Sequence, residues 1–204
     1  NAYASVAYTG VKFGKDNNHR LVLAMQAGII NRHVDQSKFK WGEQWNPITG
    51  YNSGNAITES FAATSATTLD IGAGALYYDA TPDKKANAFG GVSFFHINKP
   101  KDPIISNQTV ALNTIPLRYT IHGGVSFNLS NKTSIIPHVL HMQQGTARET
   151  SLGTYVKYNV NEETDLMIGG YYRFKDAIAP FVGVDWRNLL IGLSYDANTS
   201  KLGA

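Results

Sequence analysis

The stretch LRYTIHGGVSFN, residues 117–128, alternates between apolar and polar positions without a break. One set of alternate positions is apolar or glycine: Leu117, Tyr119, Ile121, Gly123, Val125 and Phe127. The other set is polar or glycine: Arg118, Thr120, His122, Gly124, Ser126 and Asn128. Because successive side chains of a β-strand point to opposite faces, the pattern predicts a strand with one apolar and one polar face. Such a strand fits a β-sandwich facing solvent, or a barrel facing lipid outside and water inside.

The rest of the chain divides in the same way into strand-like segments, with no convincing helical periodicity. The predicted strands are 1–14, 19–34, 67–79, 87–97, 114–128, 132–144, 150–160, 164–174, 179–186 and 189–196. Polar turns separate them, as at KDNN (15–18) and TPDK (81–84), because Asn and Asp tolerate left-handed backbone and proline favours turns. The sequence therefore predicts an all-β fold.

Composition excludes several classes of function. The net charge of +3 over 204 residues is too small to indicate nucleic-acid binding. Cysteine is absent, which excludes disulfides and thiolate sites. No apolar run reaches the roughly 18 residues that a membrane-spanning helix needs, but barrel strands cross a membrane without such a run.

Three features favour a barrel over a sandwich. Aromatic residues gather toward the segment ends, as in the girdles of membrane barrels. Most segments exceed the five or six residues of an ordinary globular strand. The long connections, 35–66 and 98–113, alternate with short ones along the chain, as expected when long loops and short turns lie at opposite ends. We therefore expect an antiparallel up-and-down transmembrane β-barrel.

We expect residues 1–204 to form a single barrel domain with a long loop at 35–66. The chain opens inside a predicted strand, so we interpret it as a piece of a longer precursor, truncated at both ends. A barrel of about fourteen strands would contain the ten strands predicted here. Its even number of strands would place both ends of the chain on the same side of the membrane.

Two groups of residues are candidates for function. Arg118, His122, Asp165 and Arg173 occupy polar positions of predicted strands and are the candidate lumen-lining residues. The long loop carries aromatic residues that predict either a partner surface or a plug over the barrel mouth: Trp41, Trp45, Tyr51 and Phe61.

No pattern in the sequence indicates catalysis, a cofactor or a metal site. His138 and His141 are the closest pair of histidines, but residues three apart on a strand point to opposite faces and cannot share a metal. The sequence has no nucleophile-elbow, metalloprotease or phosphate-loop motif. The sequence therefore predicts that the protein is not an enzyme.

Several passages resemble, in order, the PorP/SprF family of the type IX secretion and gliding machinery. They are LAMQAGIIN (23–31) with VDQSKF (34–39), IGAGALYY (71–78), FGGVSFF (89–95), HGG (122–124), IPHVL (136–140), GGYYR (169–173) and IGLSYD (191–196). The DQSK at 35–38 is similar to the family's D-x-S-K passage, and the resemblance covers most of the chain. The length of the 35–66 loop departs from the family pattern.

The resemblance implies an integral outer-membrane protein of the Bacteroidota type that supports secretion or surface display of cell-surface proteins. The implied partners are periplasmic ring or peptidoglycan-binding components of the same system, a secreted surface adhesin and the lipid bilayer. Three alternatives stay open from the residues alone. They are an outer-membrane porin or specific channel, a soluble β-sandwich adhesin or carbohydrate-binding module, and a membrane-barrel hydrolase.

Overall fold

The computed structural model describes residues 1–58, 64–101, 114–187 and 189–200, and these residues form β-strands joined by turns and short 3-10 helices. The strands are β1 Ala2–Phe13, β2 His19–His33, β3 Trp45–Asn46, β4 Gly50–Tyr51, β5 Ser65–Asp79, β6 Ala86–Phe95, β7 Arg118–Asn128, β8 Thr133–Gln144, β9 Ala147–Asn161, β10 Thr164–Arg173, β11 Ala177–Trp186, β12 Leu189–Ser194 and β13 Ala197–Asn198. The 3-10 helices are Lys15–Asn17, Gln36–Lys38 and Gly42–Gln44.

Ten strands form one antiparallel up-and-down sheet in the order β1-β2-β5-β6-β7-β8-β9-β10-β11-β12. The all-β, up-and-down arrangement predicted from the alternation is confirmed. The sheet is not closed, because β1 and β12 are not paired with each other. The segments 34–64 and 96–117 connect strands at one end of the sheet, here called the long-loop end, and the opposite end is the short-turn end.

The strand bounds agree with the predicted segments to within three residues, except at the start of β7. The segment predicted from residue 114 pairs continuously only from Arg118, because Pro116 has no N–H for the sheet. The segment predicted to run to residue 196 ends at Ser194. There Tyr195 N donates to the Pro180 carbonyl at 3.2 Å, but Pro180 has no N–H to return the bond. The short β13 then pairs with the start of β11.

The register assigns every strand residue to one of two faces, because residues directly opposite each other point to the same side. One face, here called the apolar face, carries large side chains that stay exposed. Its members include Val6, Leu23, Met25, Ile29, Leu69, Phe94, Ile121, Val139, Leu152, Ile168, Tyr172, Ile178, Val182 and Ile191. The other, the polar face, includes Lys12, Arg20, Gln26, Asp70, Ser93, Arg118, His122, Glu149, Lys157, Asp165, Arg173 and Asp185.

Rings on the polar face lie flat across the glycines of neighbouring strands. His138 of β8 is paired with Gly153 of β9, where an added Cβ would lie 2.6 Å from the imidazole. Tyr155 of β9 is paired in the same way with Gly169 of β10, where a Cβ would lie 2.9 Å from the phenol ring. The two rings stack with centroids 4.7 Å apart. Glycine at these positions therefore allows the aromatic layer to pack directly on the sheet.

A short turn at residues 80–85 shows how the short-turn end is held. The Asp79 carboxylate accepts hydrogen bonds from the backbone N–H of Thr81 at 3.0 Å and from Lys84 Nζ at 2.5 Å. The hydrogen bond to Asp79 raises the pKa of Lys84 above its ordinary value. Hydrogen bonds therefore link the predicted TPDK turn to Asp79, the last residue of β5.

Candidate functional site

The four residues predicted to line a lumen lie on the polar face. Arg118 and His122 share that face of β7, and the register carries Asp165 and Arg173 of β10 onto the same side. Arg118 and Arg173 lie at the long-loop end of their strands, whereas Asp165 lies near the short-turn end. The fold therefore places the four on a common face without gathering them into one cluster, and their exposure to a lumen stays a prediction.

A buried carboxylate at the long-loop end organises a polar cluster that sequence reasoning missed. Asp70 of β5 is 2% exposed. Its Oδ2 accepts a hydrogen bond from the Tyr3 hydroxyl at 3.0 Å, and its Oδ1 lies 2.9 Å from His96 Nδ1. The cluster joins β1, β5 and the residue after β6. A lone aspartate in the otherwise uncharged stretch 65–78 is the signal that could have identified it, because a buried carboxylate needs partners.

Removing this carboxylate is expected to weaken the fold. In Asp70→Ala the Tyr3 hydroxyl and the His96 ring lose their acceptor, so the free energy of unfolding should fall by about 2 kcal/mol, within the range for hydrogen bonds to a charged group. Asp185→Ala is the matched control, because the Asp185 side chain lies on the same face and makes no hydrogen bond to another described residue. Urea titration of both variants in phospholipid vesicles measures the difference. Equal losses would contradict a structural role for Asp70.

Arg118 packs against an aromatic ring in the neighbouring strand. Its guanidinium carbon lies 4.3 Å from the centroid of Phe95, which is the residue directly opposite in β6. Its Nε is buried and has no hydrogen-bond partner among the described residues. The ring therefore holds the guanidinium through a cation–π contact, which fixes the side chain near the Asp70 cluster.

Asp165 and Arg173 each form ion pairs with nearby residues. Asp165 Oδ2 lies 2.6 Å from Lys157 Nζ on the adjacent strand, and Asn159 Nδ2 donates to Oδ1 of the same carboxylate at 3.0 Å. Arg173 pairs with Asp196 beyond β12 and, at 2.6 Å, with Asp176 in the turn before β11. These contacts give both residues structural partners and leave neither arranged as a catalytic acid or base.

A hollow of about 620 Å³ opens on the polar face between β6 and β10. His122 lies in its wall, so one predicted lumen residue borders this hollow. Two of the other lining side chains, Glu149 and Ser151, are polar. The rest are mainly apolar or aromatic and include Phe89, Ile136, His138, Leu140, Met142, Tyr155, Met167 and Tyr171. A concave surface of this composition suits an apolar or aromatic group better than a hydrated ion.

The long loop contains a β-hairpin that the alternation did not predict. β3 and β4 pair Trp45 with Tyr51, and the turn between them is held by Asn46 Oδ1, which accepts from Ile48 N at 2.8 Å. Gln44 is buried beside the hairpin, and its side chain accepts from the Trp41 backbone N–H and the Tyr51 hydroxyl. Trp45 is 63% exposed and Ile48 93% exposed. The predicted loop residue Phe61 lies outside the described residues.

The sequence profile described as type IX secretion system membrane protein PorP/SprF matches residues 1–204, the whole chain. The chain belongs to the PorP/SprF family. The resemblance suggested by the ordered passages is thereby confirmed, and with it the assignment to the type IX secretion membrane proteins and to a β-barrel family. No curated protein sequence and no solved structure shows a significant match to the chain.

The D-x-S-K passage of this PorP/SprF protein forms the first turn of the long loop. Asp35 Oδ1 accepts from the Ser37 hydroxyl at 2.7 Å and from its backbone N–H at 3.1 Å, and Lys38 Nζ lies 3.5 Å from Asp35 Oδ2. These hydrogen bonds from Ser37 lower the pKa of Asp35 below its ordinary value. The motif therefore acts here as a side-chain-capped turn that ends β2.

The described part of the PorP/SprF chain contains neither a candidate metal cluster nor a membrane-spanning helix. No three His, Asp or Glu side chains converge there as metal ligands. In the same residues, no helix is long and apolar enough to cross a membrane.

Proposed function

We propose that this PorP/SprF protein is an integral outer-membrane component of the type IX secretion and gliding machinery. It is non-enzymatic and supports secretion or surface display of cell-surface proteins by docking partners at its two ends. The observation that carries the proposal is the continuous apolar face. Across the described strand residues of that face, the charged side chains are Asp79, at the end of β5, and Arg148, near the start of β9. A surface of this kind is suited to hydrocarbon.

We also propose that the ten strands belong to one barrel domain of about fourteen strands. The exposed edges of β1 and β12 support this proposal, because unpaired backbone N–H and C=O groups are not stable in the hydrocarbon of a bilayer. Further strands that pair with both edges would satisfy these groups.

The two ends are suited to different partners. In the proposed orientation, the short turns face the periplasm, where they contact ring or peptidoglycan-binding components. The long-loop end faces outward, and its hairpin presents Trp45 and Ile48 to a secreted adhesin. Support comes from the hydrogen bonds that hold the hairpin, since a preorganised aromatic and aliphatic pair loses little conformational entropy on binding.

Co-purification from solubilised envelopes tests this function. We expect the protein to fractionate with the outer membrane and to retain a type IX partner after affinity capture in detergent. The double variant Trp45→Ala, Ile48→Ala should lower partner recovery at least about fivefold, as for the loss of a small binding hot spot. Ile57→Ala is the control, because Ile57 is also exposed in the loop but lies outside the hairpin. Inner-membrane fractionation, or equal recovery from all variants, would count against the proposal.

A channel is the second candidate, favoured by the charged side chains of the polar face. In a conducting pore, Arg118→Glu would alter ion selectivity by reversing a charge near the mouth. Single-channel recordings in planar bilayers separate the two functions. A docking component without an open lumen shows no reproducible conductance before or after the substitution.

A further inference from the structure

The hollow on the polar face between β6 and β10 has two chemically different ends. Its long-loop end carries the carboxylate of Glu149 and the hydroxyl of Ser151, two residues apart on β9. Toward the short-turn end the wall is formed by aromatic rings, those of Phe89, His138, Tyr155 and Tyr171. Apolar walls with a few polar groups are typical of ligand sites. The hollow therefore suits a ligand that is polar at one end and apolar at the other.

The aromatic rings present flat faces to the hollow because glycines lie beneath them. The rings of His138 and Tyr155, which lie across glycines of the neighbouring strands, are within 10° of parallel. The Phe89 ring likewise covers Gly124, where an added Cβ would lie 2.8 Å from the ring. Flat ring faces of this kind contact apolar side chains over a large area.

The carboxylate of Glu149 has no ion-pair partner in the described chain. The side chains of Glu149 and Ser151 are half-buried and make no hydrogen bond to another described residue. Arg173 is directly opposite Ser151, but its guanidinium is already paired with the carboxylates of Asp176 and Asp196. This group of three carboxylates and one guanidinium carries a net charge of −2. The polar end of the hollow therefore favours a positively charged group.

The nearby cations of the polar face are engaged elsewhere. The residues that line the hollow include neither lysine nor arginine. The guanidinium of Arg118 lies over Phe95 on β6, whereas Glu149 lies on β9. Lys157 is paired with Asp165 at 2.6 Å. A cation that balances Glu149 would therefore come from a ligand.

The separation of the two ends selects an extended ligand. Glu149 and Tyr155 are six residues apart on one strand, about 20 Å between their Cα atoms. An inorganic ion or a small amine at the carboxylate cannot also contact the rings. An extended polypeptide can, because its side chains on one side repeat about every 7 Å, as do those of the strand beneath it. Arginine suits the polar end better than lysine, because its five N–H donors match a carboxylate and a hydroxyl together.

We propose that this hollow binds an extended polypeptide segment, with an arginine at Glu149 and apolar side chains on the aromatic rings. The inference rests on the proposed function, in which the protein docks polypeptide partners. It adds a second contact, on the polar face of the sheet and separate from the hairpin of the long loop. A neutral or acidic segment would leave the carboxylate without a partner.

Calorimetric titration of the full chain in a nonionic detergent tests the proposal. The probe is acetyl-Phe-Ser-Leu-Ser-Arg-amide, in which alternate side chains are apolar, apolar and cationic. An analogue with citrulline in place of arginine has the same shape without the charge. The arginine peptide should bind at least about tenfold more tightly, as for a hydrogen bond to a charged group. Replacing the phenylalanine and leucine of the probe with serine should also lower its affinity at least about tenfold.

Substitutions in the protein assign the preference for arginine to Glu149. Glu149→Gln keeps the shape of the side chain and should remove the preference for the arginine peptide over the citrulline peptide. Met142→Arg places a guanidinium directly opposite Glu149 and should have the same effect from the neighbouring strand. Asp185→Asn is the matched control, because it removes a carboxylate of the same face that does not line the hollow. The preference should be unchanged in this control.

The possible outcomes separate the site from the proposed function. Equal affinity for the arginine and citrulline peptides, or an unchanged preference in Glu149→Gln, would overturn the site. Binding of phenethylammonium as tight as that of the arginine peptide would overturn the polypeptide ligand. If either result occurs while a type IX partner is still recovered by co-purification, the site fails and the proposed function stands. If no partner is recovered, the proposed function and the polypeptide ligand fail together.

Discussion

Val139→Arg is expected to lower the free energy of unfolding in a bilayer by about 2–4 kcal/mol, the cost of placing an arginine on the lipid face of a barrel near the membrane centre. Val139 lies in the middle of β8 and is exposed on the apolar face. Its neighbours across the sheet are Gly123 and Leu152, which offer the guanidinium no hydrogen-bonding side chain. The charge would have to be desolvated or would distort the surrounding lipid.

Met142→Arg is the matched control on the same strand. Met142 lies three residues further along β8 on the polar face, directly opposite Glu149. An arginine there meets a carboxylate and not hydrocarbon, so the change in unfolding free energy should stay below about 1 kcal/mol. Urea titration in phospholipid vesicles, followed by tryptophan fluorescence, measures both variants. Similar losses for the two would contradict the assignment of the apolar face to lipid.

Gly169→Ala is expected to destabilise the fold by about 3 kcal/mol, at the upper end of the range for overpacking. Its Cβ would lie 2.1 Å from the Thr154 carbonyl oxygen and 2.8 Å from the Tyr155 Cα. Both are backbone atoms of β9, so the strands would have to separate and the Tyr155 ring would lose its place on the sheet. A shift of a side chain alone cannot relieve this overlap.

The control for this substitution is Gly90→Ala, because Gly90 is also a strand glycine. A Cβ at Gly90 would make only ordinary contacts, 3.4 Å or more from the backbone of β7. The free energy of unfolding should therefore change by less than about 1 kcal/mol. Alanine restricts the unfolded chain more than glycine does, which offsets a small loss in the folded state. Unfolding of both variants by urea in vesicles gives the comparison. A Gly169→Ala variant as stable as Gly90→Ala would rule out the close strand approach.

Much of the sheet could be predicted because a two-residue period is a local property of the chain. The alternation at 117–128 identified both faces of β7 before any partner strand was known. The turn at 81–84 was recognisable because proline and aspartate restrict the backbone locally. The error at Tyr195 has a non-local cause, since the break in β12 depends on Pro180 in the opposite strand.

The hairpin in the long loop could not be predicted from periodicity. β3 and β4 have two residues each, too few for an alternation to be seen. Its stability comes from Gln44 and Asn46, whose side chains bond to backbone groups nearby. The aromatic content of the loop indicated a surface feature but not its shape.

The sequence by itself determined the strands, their two faces and the family, because each depends on residues close together in the chain or on their order along it. The tertiary structure decided which side chains meet. Tyr3, Asp70 and His96 are far apart in sequence, and only the order and register of β1, β2, β5 and β6 bring them together. The row formed by Pro137, Thr154, Gly170 and Pro180 likewise exists only because the register aligns these residues across four strands. Register is set by pairing between strands, and a pattern within one strand does not contain it.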